Sequence, residues 1–540
     1  MSNKEHQNKN ITLTSAELAR NENKDQIQNI ALSLADIAGD EYIEAICRSK
    51  AFIEDRGVKE FLEIAREKVE FFPAHFAKRI DELIDYTGKQ VCDTGFKSSP
   101  GAGTNAFNKA TDTGMAPLSS YGFIRIGENG KAYITAKSEH YHAPLGHSFP
   151  GYKLIENARK LGIPNATHNN TRGHITRLLE TELIRIANGL EKGDVEGLEQ
   201  VIKSTDPNVL NRVINLETGS LAVEAALKMM LARFHRLDHS HPDPIFAGKT
   251  PVFLVVADNS GGKEANYHGT TVLTQLLRGM WPDFYSMLEE NRLFNVQQVR
   301  INDIQDFIEK ADHYDSGEYK IAGFFHEIVL MNYGGIKIEK DYLETAYGIC
   351  RKKDIPVIVD EIQSCLWSPE LFMFKEYGLR PGFVSIGKGF PGGEYPASKL
   401  LANATMDNLN LFGALVTNGQ EELASLSYLV TMAFAEANSD YTRKIGDYYE
   451  KRIRELAEKY SHLVIKVEGD RHMTTVFFES VEKTVEFASY LNNRCIDISA
   501  HTYKPNCPPS AITKIPLIST YKMVDYVLAK MEEALNSLKK

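Results

Sequence analysis

Two apolar runs near the middle of the chain constrain the fold more than anything else in it. Residues 355–359 (IPVIV) and 383–386 (FVSI) are almost continuously apolar or β-branched, and each leads directly into an ionisable group, Asp360 and Lys388. A strand that is apolar at consecutive positions is buried on both faces, as strands are in parallel sheets. Residues 369–377 between them read as helical, so the segment predicts a strand–helix–strand unit. Ligands of such sheets bind outside the carboxyl ends of the strands, so Asp360 and Lys388 are expected to face one crevice.

A chain of 540 residues exceeds what one core covers, and two or three lobes are expected. Residues 1–90 carry helical periodicity in ALSLADIA, YIEAICRSKAFI, VKEFLEIAREKVEFF and FAKRIDELIDY, after a polar start. We read them as an N-terminal helical extension. Residues 91–150 open with a loop rich in Gly, Ser and Thr over 92–120. They continue with the hairpin texture GFIRIG and KAYITA around the Glu128-Asn129-Gly130 turn, read as the first part of a small domain. From 151 to 419 helices and apolar strands alternate, the texture of a large doubly wound α/β domain with a mostly parallel sheet. Residues 420–540 read as a small α+β domain at the C-terminus.

A net charge of −10 without any basic block argues against a nucleic-acid binder. The six cysteines, Cys47, Cys92, Cys350, Cys365, Cys495 and Cys507, form no CxxC pair, so reduced and mostly buried thiols are expected. The polar start MSNKEHQNKN has no apolar signal core, and no run approaches the roughly 18 apolar residues of a membrane span. A cytoplasmic, membrane-free protein is the expectation.

A carboxylate at a buried strand end is costly unless it meets a cation. Alone, Asp360 reads as an ordinary helix cap. Lys388 changes the weighing, because it stands between Gly387 and Gly389 directly after an apolar strand, where lysine is rarely found. An acid for a pyridinium nitrogen and an amine for a Schiff base are what pyridoxal 5'-phosphate requires. Thr218, Gly219 and Ser220 open the helical run LAVEAALKMMLARF and offer hydroxyls, close backbone approach and a positive dipole end to a phosphate. As a plain N-cap they need no ligand. Tyr267, in NYHGTT after the apolar strand PVFLVVAD, is an aromatic able to stack on a planar ring.

The ordered series TGSLAVEAALK, NYHGTT, HEIVLMNYGG, VDEIQ, SIGKGFPGG and TNGQEELA, preceded by LGHSFPGY, resembles the class III aminotransferases of the fold type I pyridoxal-phosphate enzymes. The resemblance covers roughly three quarters of the chain, from residue 146 onward. It implies that Lys388 forms the Schiff base and moves the substrate's proton, that Asp360 pairs with the ring nitrogen, and that Gln363 bonds the ring's 3-oxygen. Thr218, Gly219 and Ser220 would hold the phosphate, Tyr267 would stack on the ring, and Glu327 would lie near the substrate. Thr417 matches a threonine that reaches the phosphate of a neighbouring subunit, so the resemblance implies a homodimer with its site at the subunit interface.

The chain departs from the family's pattern at three places. Leu221 stands where an acidic residue is usual, and TNGQEE replaces a glycine-rich loop around Thr417. Tyr503-Lys504-Pro505 stands where many members place a carboxylate-binding arginine, and a lysine cannot make the bidentate fork. Two other motifs fall away. Gly248-Lys249-Thr250 ends like a phosphate loop, but Asp243 occupies the first glycine position. His235, His239 and His241 lie in a polar stretch without carboxylates at ligand spacing, so no metal is expected. The expected activity is transfer of an amino group between an amino acid or amine and a 2-oxo acid. Epimerase or racemase, decarboxylase and lyase chemistry on the same lysine, and a non-catalytic binding protein, remain as alternatives.

Overall fold

The computed structural model describes residues 25–538 except 139–141, 166–167, 503 and 505. Tyr503 and Pro505 therefore lie outside the described residues, as does the polar start of the chain. A seven-stranded sheet forms the centre: β1 (Arg212–Leu216), β2 (Thr250–Val256), β3 (Asn295–Val299), β4 (Tyr319–His326), β5 (Val357–Asp360), β6 (Phe383–Ile386) and β7 (Ser398–Ala402), in the spatial order β1-β7-β6-β5-β4-β2-β3. Strands β6, β5, β4, β2 and β3 are mutually parallel, and β7 runs antiparallel to both β6 and β1. The first residue of β7 thus lies at the end of the sheet where the other six strands finish.

Every residue of β2, β5, β6 and β7 is buried, which the continuous apolar runs require. Alternation still operates, but between two cores. Phe253 and Val255 of β2 join the cluster beneath the helix Gly219–Leu231, while Val252, Leu254 and Val256 join the cluster on the opposite face.

Residues 369–377 do not form the expected helix: only the single turn Met373–Glu376 is helical. The apolar residues there are consecutive, from Leu371 to Phe374, and all are buried, so no amphipathic face exists to lay on the sheet. The turn is capped from outside, since Met373 N and Phe374 N donate to the Glu361 carboxylate at 3.0 and 2.6 Å. The run IAGFFHEIVL also divides. β4 ends at His326, and Val329–Leu330 pairs instead with Ile336–Lys337.

The N-terminal periodicities appear as the helices Leu34–Ala38, Asp40–Glu54, Val58–Arg66 and Ala74–Ile84. They pack onto the rest of the chain through contacts such as Phe72 with Phe434 and Tyr42 with His174. The hairpin Ile124–Gly127 and Ala132–Thr135 joins a four-stranded sheet that takes its last strand, Ile496–Asp497, from the far end of the chain. There the fully buried Arg125 pairs with Asp497 at 3.3 Å and donates to Thr135 at 2.9 Å. All six cysteines are free, and five are buried; Cys92 is exposed. No described helix is long and apolar enough to cross a membrane.

Two buried imidazoles and a half-buried one resist protonation in this fold. Burial pushes His326 and His472 down to about 3, and His147 to about 4. Each stays neutral in the folded chain but gains a proton in the unfolded chain below about 6.5, so their stability contribution is complete above that pH and is lost as pH falls towards 4. His472 has no hydrogen-bond partner on either ring nitrogen among the described residues. His472→Leu is therefore expected to flatten the fall of melting temperature between pH 6.5 and pH 4. An unaltered pH slope would contradict this account.

Candidate functional site

A cavity of about 480 Å³ opens at the carboxyl end of the sheet, and residues that follow β1, β2, β4, β5 and β6 line it together with Ser398 at the start of β7. The antiparallel entry of β7 is what places Ser398 there. Asp360 is the last residue of β5, and the parallel register sets it opposite Ser385 of β6. The Ser385 hydroxyl donates to Asp360 Oδ1 at 2.7 Å, and the main-chain N–H of Ile362 donates to the same oxygen at 3.1 Å. His268 Nδ1 lies 2.9 Å from Oδ2. The carboxylate is buried, with Ser385, the Ile362 N–H and His268 as its partners, the last an ion pair when the imidazole is protonated.

Lys388 follows β6 after one glycine. A Cβ at Gly387 would collide with the Ser398 side chain, so only glycine lets the chain turn here. Lys388 itself takes φ of 52°, the left-handed region, which costs a non-glycine residue roughly 1 kcal/mol or more. That conformation brings the residue to the cavity wall alongside Asp360.

β1 ends at Leu216, and Thr218 caps the helix Gly219–Leu231, its hydroxyl accepting from Leu221 N at 3.4 Å. The first N–H groups of a helix have no carbonyl one turn back, so those of Gly219 and Ser220 are available to an anion at the cavity wall. The loop carrying Tyr267 packs against this helix end, with Thr270 N donating to Ser220 Oγ at 3.0 Å. Gly269 allows that approach: its φ is 138°, and a Cβ would stand 2.7 Å from Ser220.

Gln363 and Glu327 line the remaining wall. Each has a side-chain oxygen that is sealed from solvent and without a hydrogen-bond partner among the described residues. Burial raises Glu327 well above the usual carboxylate range, and the nearby Asp360 charge raises it further, against the opposing pull of Lys504 and Lys388. Thr417 is exposed and does not line the cavity of its own chain. Lys504 lies behind the wall, where its ammonium donates to the main-chain carbonyls of Glu264, at 3.3 Å, and of Asn332.

Three contributors escaped the sequence reading. His268 sits between Tyr267 and Gly269, and only the fold shows that it reaches Asp360 across 92 residues. Ser385 is the lone polar residue of an apolar strand, a signal that was present but had no partner until register was known. Arg278 carries no local signal; its guanidinium carbon lies 5.4 Å from the centroid of the Tyr267 ring.

These residues fit pyridoxal phosphate. A buried carboxylate suits a pyridinium N–H, the amide N–H of Gln363 could donate to a ring oxygen, and the helix N-terminus suits a phosphate.

The sequence model of the family Aminotransferase class-III matches residues 120–504. Among curated proteins the chain is similar to the acetylornithine aminotransferase of Aquifex aeolicus, 24% identical over 50% of this chain and 67% of the relative. It is also similar to the adenosylmethionine-8-amino-7-oxononanoate aminotransferase of Staphylococcus aureus, 23% identical over 48% of this chain and 58% of the relative. The chain thus spans between about half and two thirds of such relatives. Among solved structures it matches the ornithine aminotransferase of Toxoplasma gondii, with a TM-score of 0.61 at 18% identity over 78% of this chain and 90% of that one. The adenosylmethionine-8-amino-7-oxononanoate aminotransferase of Methanocaldococcus jannaschii gives 0.61 at 18% identity over 85% and 100%. These likenesses show the fold. With most of the chain inside the family match and the site residues gathered where its parallel strands end, the chain belongs to the class III aminotransferases, pyridoxal-phosphate-dependent enzymes of fold type I.

Proposed function

We propose that this protein is a transaminase that moves an amino group between an amino acid or amine and a 2-oxo acid, working in the cytoplasm as a homodimer. The observation that carries the reading is the meeting of Lys388 and Asp360 at the ends of two neighbouring parallel strands, in the same cavity as the N-terminus of Gly219–Leu231. Pyridoxal phosphate supplies a carbonyl carbon for the substrate amine and a ring that draws electrons from the bond to be broken.

The chain's own residues then have separable tasks. Asp360, anchored by Ser385, Ile362 N–H and His268, holds the ring nitrogen in its protonated form. Lys388 would hold the cofactor through its amine and, when free, would take the proton from the substrate carbon and return it to the carbon on the far side of the nitrogen, two atoms away. The main-chain N–H groups of Gly219 and Ser220 bind the phosphate, and Tyr267 covers one face of the ring. Glu327, whose burial favours its protonated form, would donate a hydrogen bond to a substrate oxygen. Thr417, exposed on its own chain, reaches the phosphate of the partner in this reading.

Lys388→Ala is expected to abolish the visible absorbance of the bound cofactor and to lower turnover by roughly three orders of magnitude or more. A variant that kept both would sink the proposal. Asp360→Asn should retain cofactor and lose about 10²- to 10⁴-fold in turnover, because the proton on the ring nitrogen is no longer secured. Thr417→Val should weaken cofactor binding about tenfold while leaving the dimer mass unchanged; an unchanged affinity would remove Thr417 from the partner's site.

A further inference from the structure

The sheet carries a second cavity, at the end opposite the catalytic one. It encloses about 510 Å³ and is lined by Pro207 ahead of β1, Val357 at the start of β5, Gly382 ahead of β6 and Asn403 after the antiparallel β7. β5 therefore runs from this cavity at Val357 to the catalytic one at Asp360, and the helix Gly219–Leu231 opens at the catalytic cavity and finishes against this one at Ala232. Among the described residues the two cavities share no lining residue. A volume of this size falls within the roughly 300–1,000 Å³ of small-molecule sites.

The charge around the second cavity is one-sided. Three arginines from three separate elements line it, Arg233, Arg351 and Arg380, together with two carboxylates, Asp243 and Asp354. Both carboxylates are already engaged: Arg233 pairs with Asp354, and Arg236 Nε donates to Asp243 at 2.9 Å. Arg351 stands in the last turn of the helix Lys340–Lys352, and Arg380 in the turn ahead of β6. Neither makes an ion pair or a side-chain hydrogen bond among the described residues. Asp206 shows that the two lie on one rim, because hydrogen bonds from Asn208, and after them the charges of Arg380 and Arg351, hold its carboxyl below the usual range. Its Oδ1 is taken locally, accepting from Asn208 N at 2.8 Å and from Asn208 Nδ2 at 2.9 Å.

The rest of the lining is apolar. Tyr347, Cys350, Ile355 and Val357 are buried, and Ile245 is 71% exposed. An exposed arginine on an open surface needs only water. Two guanidiniums on the rim of an apolar cavity make a different surface, since their planar forks match the oxygens of a phosphate and the low-dielectric wall strengthens the attraction. Inorganic phosphate would engage the forks and leave the apolar lining wet, whereas an ester with an apolar body covers both.

We propose that this cavity is a second ligand site that takes a phosphate monoester with an aromatic or apolar body, the phosphate against Arg351 and Arg380 and the body on the lining formed by Ile245, Tyr347 and Ile355. The inference stands apart from the transaminase reading, because neither arginine lines the catalytic cavity.

The test titrates protein loaded with pyridoxal phosphate and freed of excess cofactor, by calorimetry, with phenyl phosphate, adenosine 5'-monophosphate and inorganic phosphate. The expected result is one ligand per subunit, at least one ester binding about tenfold or more tightly than inorganic phosphate, and an unchanged visible spectrum of the bound cofactor. Arg351→Ala and Arg380→Ala should each weaken that ester roughly 10- to 100-fold, and the lysine variants less, with cofactor affinity and melting temperature at wild-type values. Ile245→Ser removes apolar contact without touching either arginine, and should weaken the ester about threefold while leaving inorganic phosphate unchanged. Absence of ester binding, equal affinity for the esters and inorganic phosphate, or undiminished ester binding in both alanine variants overturns the proposal. Release of the cofactor on adding ester also overturns it, by assigning the ester to the catalytic phosphate position.

Discussion

The site depends on one buried carboxylate being satisfied before any ligand arrives. Asp360 closes β5 inside the protein, where an unpaired anion would cost several kcal/mol. Parallel register offers it the Ser385 hydroxyl, its own following turn offers the Ile362 N–H, and the loop after β2 brings His268. These partners supply the hydrogen bonds that the buried anion needs. In the proposed reading, a cationic ring nitrogen would meet this carboxylate in a water-poor setting, where such attraction is strongest. Had an arginine filled this place, the same strand end would be a structural ion pair.

The rest of the architecture serves that arrangement. Because β6 lies beside β5 in the same direction, the residue after its end comes to the same wall, and the glycine at 387 lets Lys388 turn inward at a left-handed backbone angle. Because β7 runs the other way, its first residue completes the wall opposite. The N-terminal helices and the small sheets pack around this core, and the buried pair of Arg125 with Asp497 ties together segments 372 residues apart. A long chain thereby places residues from six strands within one cavity.

Much of this was legible in the chain itself. Strands buried on both faces announce themselves by continuous apolar runs, so β5, β6 and their terminal Asp360 and Lys388 could be located, as could the helix opening at Thr218. What could not be read are contacts whose partners are remote in sequence. His268 gains meaning only from its distance to Asp360, and Lys504 only from the two carbonyls it holds. Residues 369–377 misled for a different reason: their apolar positions are consecutive, and burial on all sides turns such a run into an irregular plug capped by Glu361. Arg278 lies in an unremarkable polar stretch, and its place over Tyr267 is a property of the fold alone.

The most direct test of the account is a single-substrate reaction of the cofactor-loaded enzyme with an amino acid donor and no acceptor. If Lys388 moves the proton from the substrate carbon to the cofactor, the visible band should decay and one equivalent of 2-oxo acid should form per subunit. Subsequent addition of a 2-oxo acid should then restore the band. Persistence of the visible band with inversion of the donor's stereochemistry, or release of carbon dioxide, would contradict transamination and assign the same lysine to another reaction.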